Sequence, residues 1–149
     1  MTVSILLVGN HGPLMGWIAA RLGQEPDFRV VRVVAGASEA VQVLASQSAD
    51  LLLMDADQVP DCGQTIEAFR ASRARLRVIL VAATDGDGVL EETLKAKADG
   101  LLLKNELVAT LIPGVRRVVL GGACYPRSAE DRIEIGQSGA SVPERPSAL

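Results

Sequence analysis

A chain of 149 residues with 48% apolar content is long enough for one domain with a substantial core, and 3% aromatics means that Val, Leu, Ile and Ala must build it. The net charge of −3 excludes a chain whose main business is gripping nucleic acid through a basic face. No apolar run approaches the roughly 20 residues that a bilayer span needs, which argues against a membrane protein.

The amino-terminal "MTVSILLVGN" has no basic lead, so no signal peptide is expected. Within it, Val3–Val8 reads as a strand. Leu14, Ile18 and Leu22 then fall four apart and predict a helix, on which Trp17 is a packing residue, while His11 belongs to the loop before it. A second strand is expected at Arg29–Val34. Ala40, Val41 and Leu44 form a helical stripe after Ser38, which suits an N-cap. The third strand, Leu51–Asp55, runs four apolar residues into a carboxylate. Asp61 is placed to cap a helix carrying Ile66 and Phe69.

The fourth strand is expected at Val78–Ala82, followed by a helix with Val89, Thr93 and Lys97 beside Leu90 and Leu94. The fifth is Leu101–Leu103. In "NELVATLIPGVRRVVLGG" Asn105 is a suitable cap, and Pro113-Gly114 imposes either a kink or a short turn with a new helix behind it. Arg116 and Arg117 read as a solvated helix face. Residues 123–149, with "SGASVPERPSAL", have no apolar periodicity and read as a flexible linker or tail after a domain of residues 1–122.

The runs are rich in Val, Ile and Leu and mostly lack polar alternation, as strands buried on both faces do. The (βα)5 alternation predicts a doubly wound α/β fold with a parallel sheet. For a strand order of 2-1-3-4-5, ligands gather between the carboxyl ends of the first and third strands. That rule brings Gly9, Asn10 and His11 beside Asp55 and Asp57, flanked by Ala82, Ala83, Thr84 and Lys104. Cys62 and Cys124 form no CxxC pair, and with His11 the only histidine no zinc site is expected; the setting is read as reduced and cytoplasmic.

These residues carry a resemblance. "LLLMDAD", "ADGLLLKNE", "GQEPDFRVV" and the "GG" before "YP" resemble, in order and spacing over residues 3–122, the receiver domain of bacterial two-component response regulators, and most of all its NarL/FixJ-type subfamily. The resemblance implies a flavodoxin-like, CheY-like fold with a five-stranded parallel sheet. It puts Asp55 at the phosphoacceptor position, and Lys104 and Ala82 at the positions that contact the phosphoryl group. Gly9, Asn10, Asp55 and Asp57 fall at the metal site, and Leu101 at the switch position.

The departures are chemical. Family members carry paired acids where this chain has Gly9 and Asn10, a Thr or Ser at Ala82, and an aromatic at Leu101. Mg2+ seeks oxygen ligands with protein carboxylates among them. Each lost charged contact weakens binding by about 1.5–3 kcal/mol, so weak Mg2+ binding and no firm cofactor are expected. Ala82 has no hydroxyl to move onto a phosphoryl oxygen, and Leu101 has no ring to swing. The chain therefore reads as a degenerate receiver, with no enzymatic activity expected and Asp55 and Lys104 surviving as an ion pair.

The implied function is signalling by protein association as a homodimer. Transcription would be regulated through a helix-turn-helix DNA-binding domain absent from this chain. The alternatives are a conventional phosphoacceptor served by a histidine kinase, and a small-molecule sensor using the same crevice.

Overall fold

In the computed structural model, which describes residues 2–86 and 88–129, the apolar runs form the strands of one parallel sheet. The strands are β1 (Val3–Val8), β2 (Phe28–Val34), β3 (Leu51–Asp55), β4 (Arg77–Ala82) and β5 (Gly100–Leu103). Their order is β2-β1-β3-β4-β5, the doubly wound arrangement expected. The helices are α1 (Pro13–Gly23), α2 (Ala37–Ser46), α3 (Cys62–Ser72), α4 (Val89–Lys95) and α5 (Leu107–Val119).

Both faces of the sheet are covered, which is why β1, β3, β4 and β5 show little polar alternation, while the outer strand β2 exposes Arg29 and Arg32. On one face Leu6, Met54, Leu80 and Leu101 meet Leu44 of α2, Ile66 and Phe69 of α3 and Leu90 of α4. On the other, Ile5, Leu53, Val81 and Leu102 meet Ile18 and Leu22 of α1 and Leu111 and Val115 of α5. Trp17 packs, partly buried, on this second layer. Burying a Leu or Ile side chain stabilises by roughly 1.5–3 kcal/mol, so two such layers dominate the folding free energy.

Several local expectations need correction. Helix α2 starts at Ala37 with Gly36 as N-cap, so Ser38 lies inside the first turn and caps nothing. Helix α5 is capped at Glu106, because Lys104–Glu106 form a 3-10 turn that takes up Asn105. By contrast Asp61 does cap α3, its Oδ1 accepting the Gln64 N–H at 3.0 Å. Helix α5 runs unbroken through Pro113 rather than restarting after a turn. The carbonyl left without its i+4 donor belongs to Ala109, which is exposed.

Arg116 is not a solvated face. Its guanidinium pairs with Asp27 at 2.8 Å and with Glu25, and sits 4.6 Å from the centre of the Phe28 ring, tying α5 to the loop into β2. The hydrogen bonds from Arg21 and Arg116 hold the Glu25 carboxyl below its ordinary range.

The packed body also continues past Gly122. Cys124 pairs with Gly100 in a parallel bridge, its N–H donating to the Asp99 carbonyl and its carbonyl accepting the Leu101 N–H at 2.8 Å. Tyr125 donates its hydroxyl to the Ala98 carbonyl at 3.1 Å, and Ala129 is fully buried in the layer that holds Leu101. Composition did not suggest this, because the docking relies on backbone pairing and on small buried residues instead of an apolar stripe. The rest of the expected tail, residues 130–149, lies outside the described residues.

Candidate functional site

The sheet register decides what meets at its carboxyl edge. Val8 is opposite Met54, Asp55 opposite Val81, and Ala82 opposite Leu103. The residues that follow each strand, Gly9, Ala56, Ala83 and Lys104, therefore emerge side by side.

Asp55 is 2% exposed. A carboxylate so deep needs partners, since an unpaired buried charge is strongly destabilising. Its Oδ1 accepts the Asp57 N–H at 3.0 Å, which caps the 3-10 turn Ala56–Gln58, and lies 3.0 Å from the Lys104 ammonium. The same ammonium is 3.0 Å from Asp57 Oδ2. That oxygen also accepts the Ala83 N–H at 2.9 Å. One cation thus sits between two carboxylates, and the second carboxylate reaches across to the start of the loop after β4. Burial pulls the Lys104 ammonium down, but its hydrogen bonds to Asp57 and Asp55 and their attraction outweigh it, so its pKa stands above the ordinary value.

The remaining predicted positions fall around this cluster without joining it. Gly9 is buried, and a Cβ placed there would come 2.8 Å from the terminal methyl of Met15 and 3.3 Å from Asp55 Cβ. The space beside Asp55 is thus closed by a thioether from α1. Asn10 is exposed, and its N–H donates to Gln58 Oε1 at 2.7 Å. Ala82 and Leu101 are fully buried, Leu101 within the layer shared by Leu80, Leu90 and Ala129. Thr84 turns away, accepting the Gly86 N–H at 3.0 Å within its own loop. His11 is exposed in the loop before α1.

Sequence reasoning missed Met15, Gln58 and the Ala83 N–H. Met15 carried only the signal of an apolar residue on α1. The other two act through a turn and a backbone amide, which no side-chain pattern announces. Among the described residues no group of three His, Cys, Asp or Glu side chains is arranged to hold a metal ion.

No family model matches the chain. It is 25% identical over 120 residues to the nitrate/nitrite response regulator protein homolog of Haemophilus influenzae, covering 80% of this chain and 58% of that one. It is 30% identical over 122 residues to the transcriptional activator protein ExaE of Pseudomonas putida, covering 81% of this chain and 57% of that one. The chain therefore spans a little over half the length of the curated relatives it matches. Among solved structures, the isolated REC domain of RcsB from Salmonella enterica serovar Typhimurium superposes with a TM-score of 0.81 at 18% identity, covering 89% of this chain and 99% of that one. Strand order, the position of the crevice and these comparisons agree: the chain has the fold of a response-regulator receiver domain and is similar in sequence to response regulators of the NarL/FixJ type.

Proposed function

We propose that this receiver domain signals by protein association without conventional Mg2+-dependent phosphorylation of Asp55, and that it serves a transcription regulator through a DNA-binding domain outside these residues. The observation that carries the reading is the Asp57 carboxylate. It already satisfies the Lys104 ammonium and the Ala83 N–H, the two donors that an added anion beside Asp55 would need.

The donor set also does not suit Mg2+. This cation wants near-octahedral oxygen ligation and usually one or two free carboxylates. Here Asp55 and Asp57 both face a lysine, Gly9 offers no side chain, and Met15 closes the adjoining space. Asn10 adds only a neutral amide, so the carboxylates keep their lysine partner. A cytoplasmic, non-enzymatic role as a homodimer fits this reading. Its support is that the relatives include a transcriptional activator and that RcsB dimers have been seen bound to DNA.

Incubation with acetyl phosphate and Mg2+, followed by intact-mass spectrometry, tests the reading. No phosphate adduct is expected, and light scattering should give the same oligomeric state with and without the phosphodonor. Efficient uptake onto Asp55 would overturn it in favour of a conventional phosphoacceptor served by a histidine kinase.

A further inference from the structure

We propose that residues 123–129 act as a latch across both ends of α4, and that the Asp57–Ala83 contact in the crevice sets how firmly the latch is closed. The inference deepens the reading of the crevice as internally satisfied, because the same carboxylate that occupies Lys104 reaches the loop after β4.

The loop between Ala82 and Val89 is held at several points. Its first amide, Ala83 N–H, donates to Asp57 Oδ2 at 2.9 Å. Two residues on, Asp85 Oδ2 accepts the Ser128 hydroxyl at 2.7 Å. The Val89 N–H then donates to the Gly86 carbonyl at 3.0 Å as α4 begins. Two peptide units separate Ala83 from Asp85, so a shift of the first anchor is passed to the second with little slack.

The latch itself has four holds. Ser128 grips the loop before α4, and Tyr125 grips the Ala98 carbonyl behind it. Cys124 joins the β5 edge, and Ala129 plugs the layer of Leu80, Leu90 and Leu101 beneath. Helix α4 spans only 7 residues. So short a helix has little stability of its own and depends on such external holds. The crevice and the latch are thus opposite ends of one chain of contacts, Lys104–Asp57–Ala83–Asp85–Ser128, along a segment whose order each contact supports.

Cys124 supplies a reporter. It is 5% exposed, and burial pushes its thiol up to about 12, so it reacts only when the latch opens. In the full chain with Cys62→Ser, Cys124 is the remaining thiol. Its labelling rate with an aryl disulfide reagent reads the opening equilibrium when closing is fast. Ser128→Ala should raise that rate by roughly tenfold, the loss of one hydrogen bond to a charged acceptor.

Asp57→Ala should also raise the rate several-fold although it lies in the crevice, and the Ser128→Ala effect should shrink in its background. Asp57→Asn, which keeps an acceptor for Ala83, should fall between it and the parent; it replaces Asp57→Ala if that variant does not fold. Urea unfolding of each variant separates latch opening from global unfolding. An unchanged rate in the Asp57 variants overturns the proposal. So does a rate that rises only as far as global stability falls, or a Ser128 effect undiminished when Asp57 is gone. No metal or phosphodonor is present, so the outcome does not depend on whether Asp55 takes up phosphate.

Discussion

At Lys104 one ammonium serves two carboxylates, and the consequence for stability can be read from which of them is buried. Asp55 has a side chain 3% exposed against 37% for Asp57, so Asp55 is the charge that cannot be left alone. Removing one partner of a buried pair typically costs about 3–5 kcal/mol. With the Lys104 side chain 28% exposed, Lys104→Met should cost roughly 2–3 kcal/mol by urea unfolding, just below that range because the ammonium is partly solvated. The pair also has a pH signature. Its lysine has a folded pKa raised above 10.5. The stabilisation is therefore complete below the unfolded value and is lost as pH rises through the folded one. The Tyr125 hydroxyl, raised by burial, adds a loss in the same direction above pH 10.0. The excess loss of the parent over Lys104→Met in strong alkali isolates the lysine. On the far side of Asp55, adding acids is limited by Met15. In the variant Gly9→Asp with Asn10→Asp and Ala82→Thr, the Cβ added at position 9 displaces the terminal methyl of Met15 and comes 3.3 Å from Asp55 Cβ. Its clustered carboxylates repel until a cation binds. We expect its Tm to fall in the absence of metal and to rise with millimolar Mg2+, while the parent's Tm responds little.

Among the elements, the close approach of β5 to the segment behind it is the tightest fit. A Cβ on Gly100 would run into Cys124 Sγ and come 2.8 Å from the Cys124 carbonyl oxygen, which is backbone and cannot swing away. Gly100→Ala should therefore destabilise by about 1–3 kcal/mol and loosen residues 123–129 first, as hydrogen exchange of their amides would show. This same contact illustrates what a sequence can and cannot carry. Four of the strands were legible as short apolar runs buried on both faces, and β2 by its Val-rich run between exposed arginines; β2, β4 and β5 begin only one residue earlier than expected. Asp61 was legible as a cap because its partner, Gln64, is local. Ser38 and Asn105 were not, since the chain begins α2 at Gly36 and spends Asn105 in a 3-10 turn. Asp55 and Lys104 could be placed by strand ends alone. The second hold of Asp57 on Ala83 joins residues 26 apart through a backbone amide, and the Arg116 clamp joins residues 91 apart; neither leaves a periodic trace.

For the molecule as a whole, no helix among the described residues is long and apolar enough to cross a membrane, and the architecture is a sheet with two unlike borders. The β5 border is closed, because Cys124 pairs with Gly100 and takes the Leu101 N–H. Among the described residues the β2 border has no strand beyond it, and it carries the exposed Arg29 and Arg32. Charged side chains on an outer strand oppose pairing with a second molecule. A molecule with one available border can form a closed pair at most, whereas one with two can add copies head to tail without end. Shortening the chain to end at Gly122 would open the second border and uncover the layer that Ala129 fills. Such a version should show a lower Tm and, on prolonged incubation at raised concentration, a growing light-scattering signal with thioflavin binding that the full chain lacks. If that signal appears in the shortened chain alone, the bridge from Cys124 to Gly100 is what keeps the β5 edge from adding further copies.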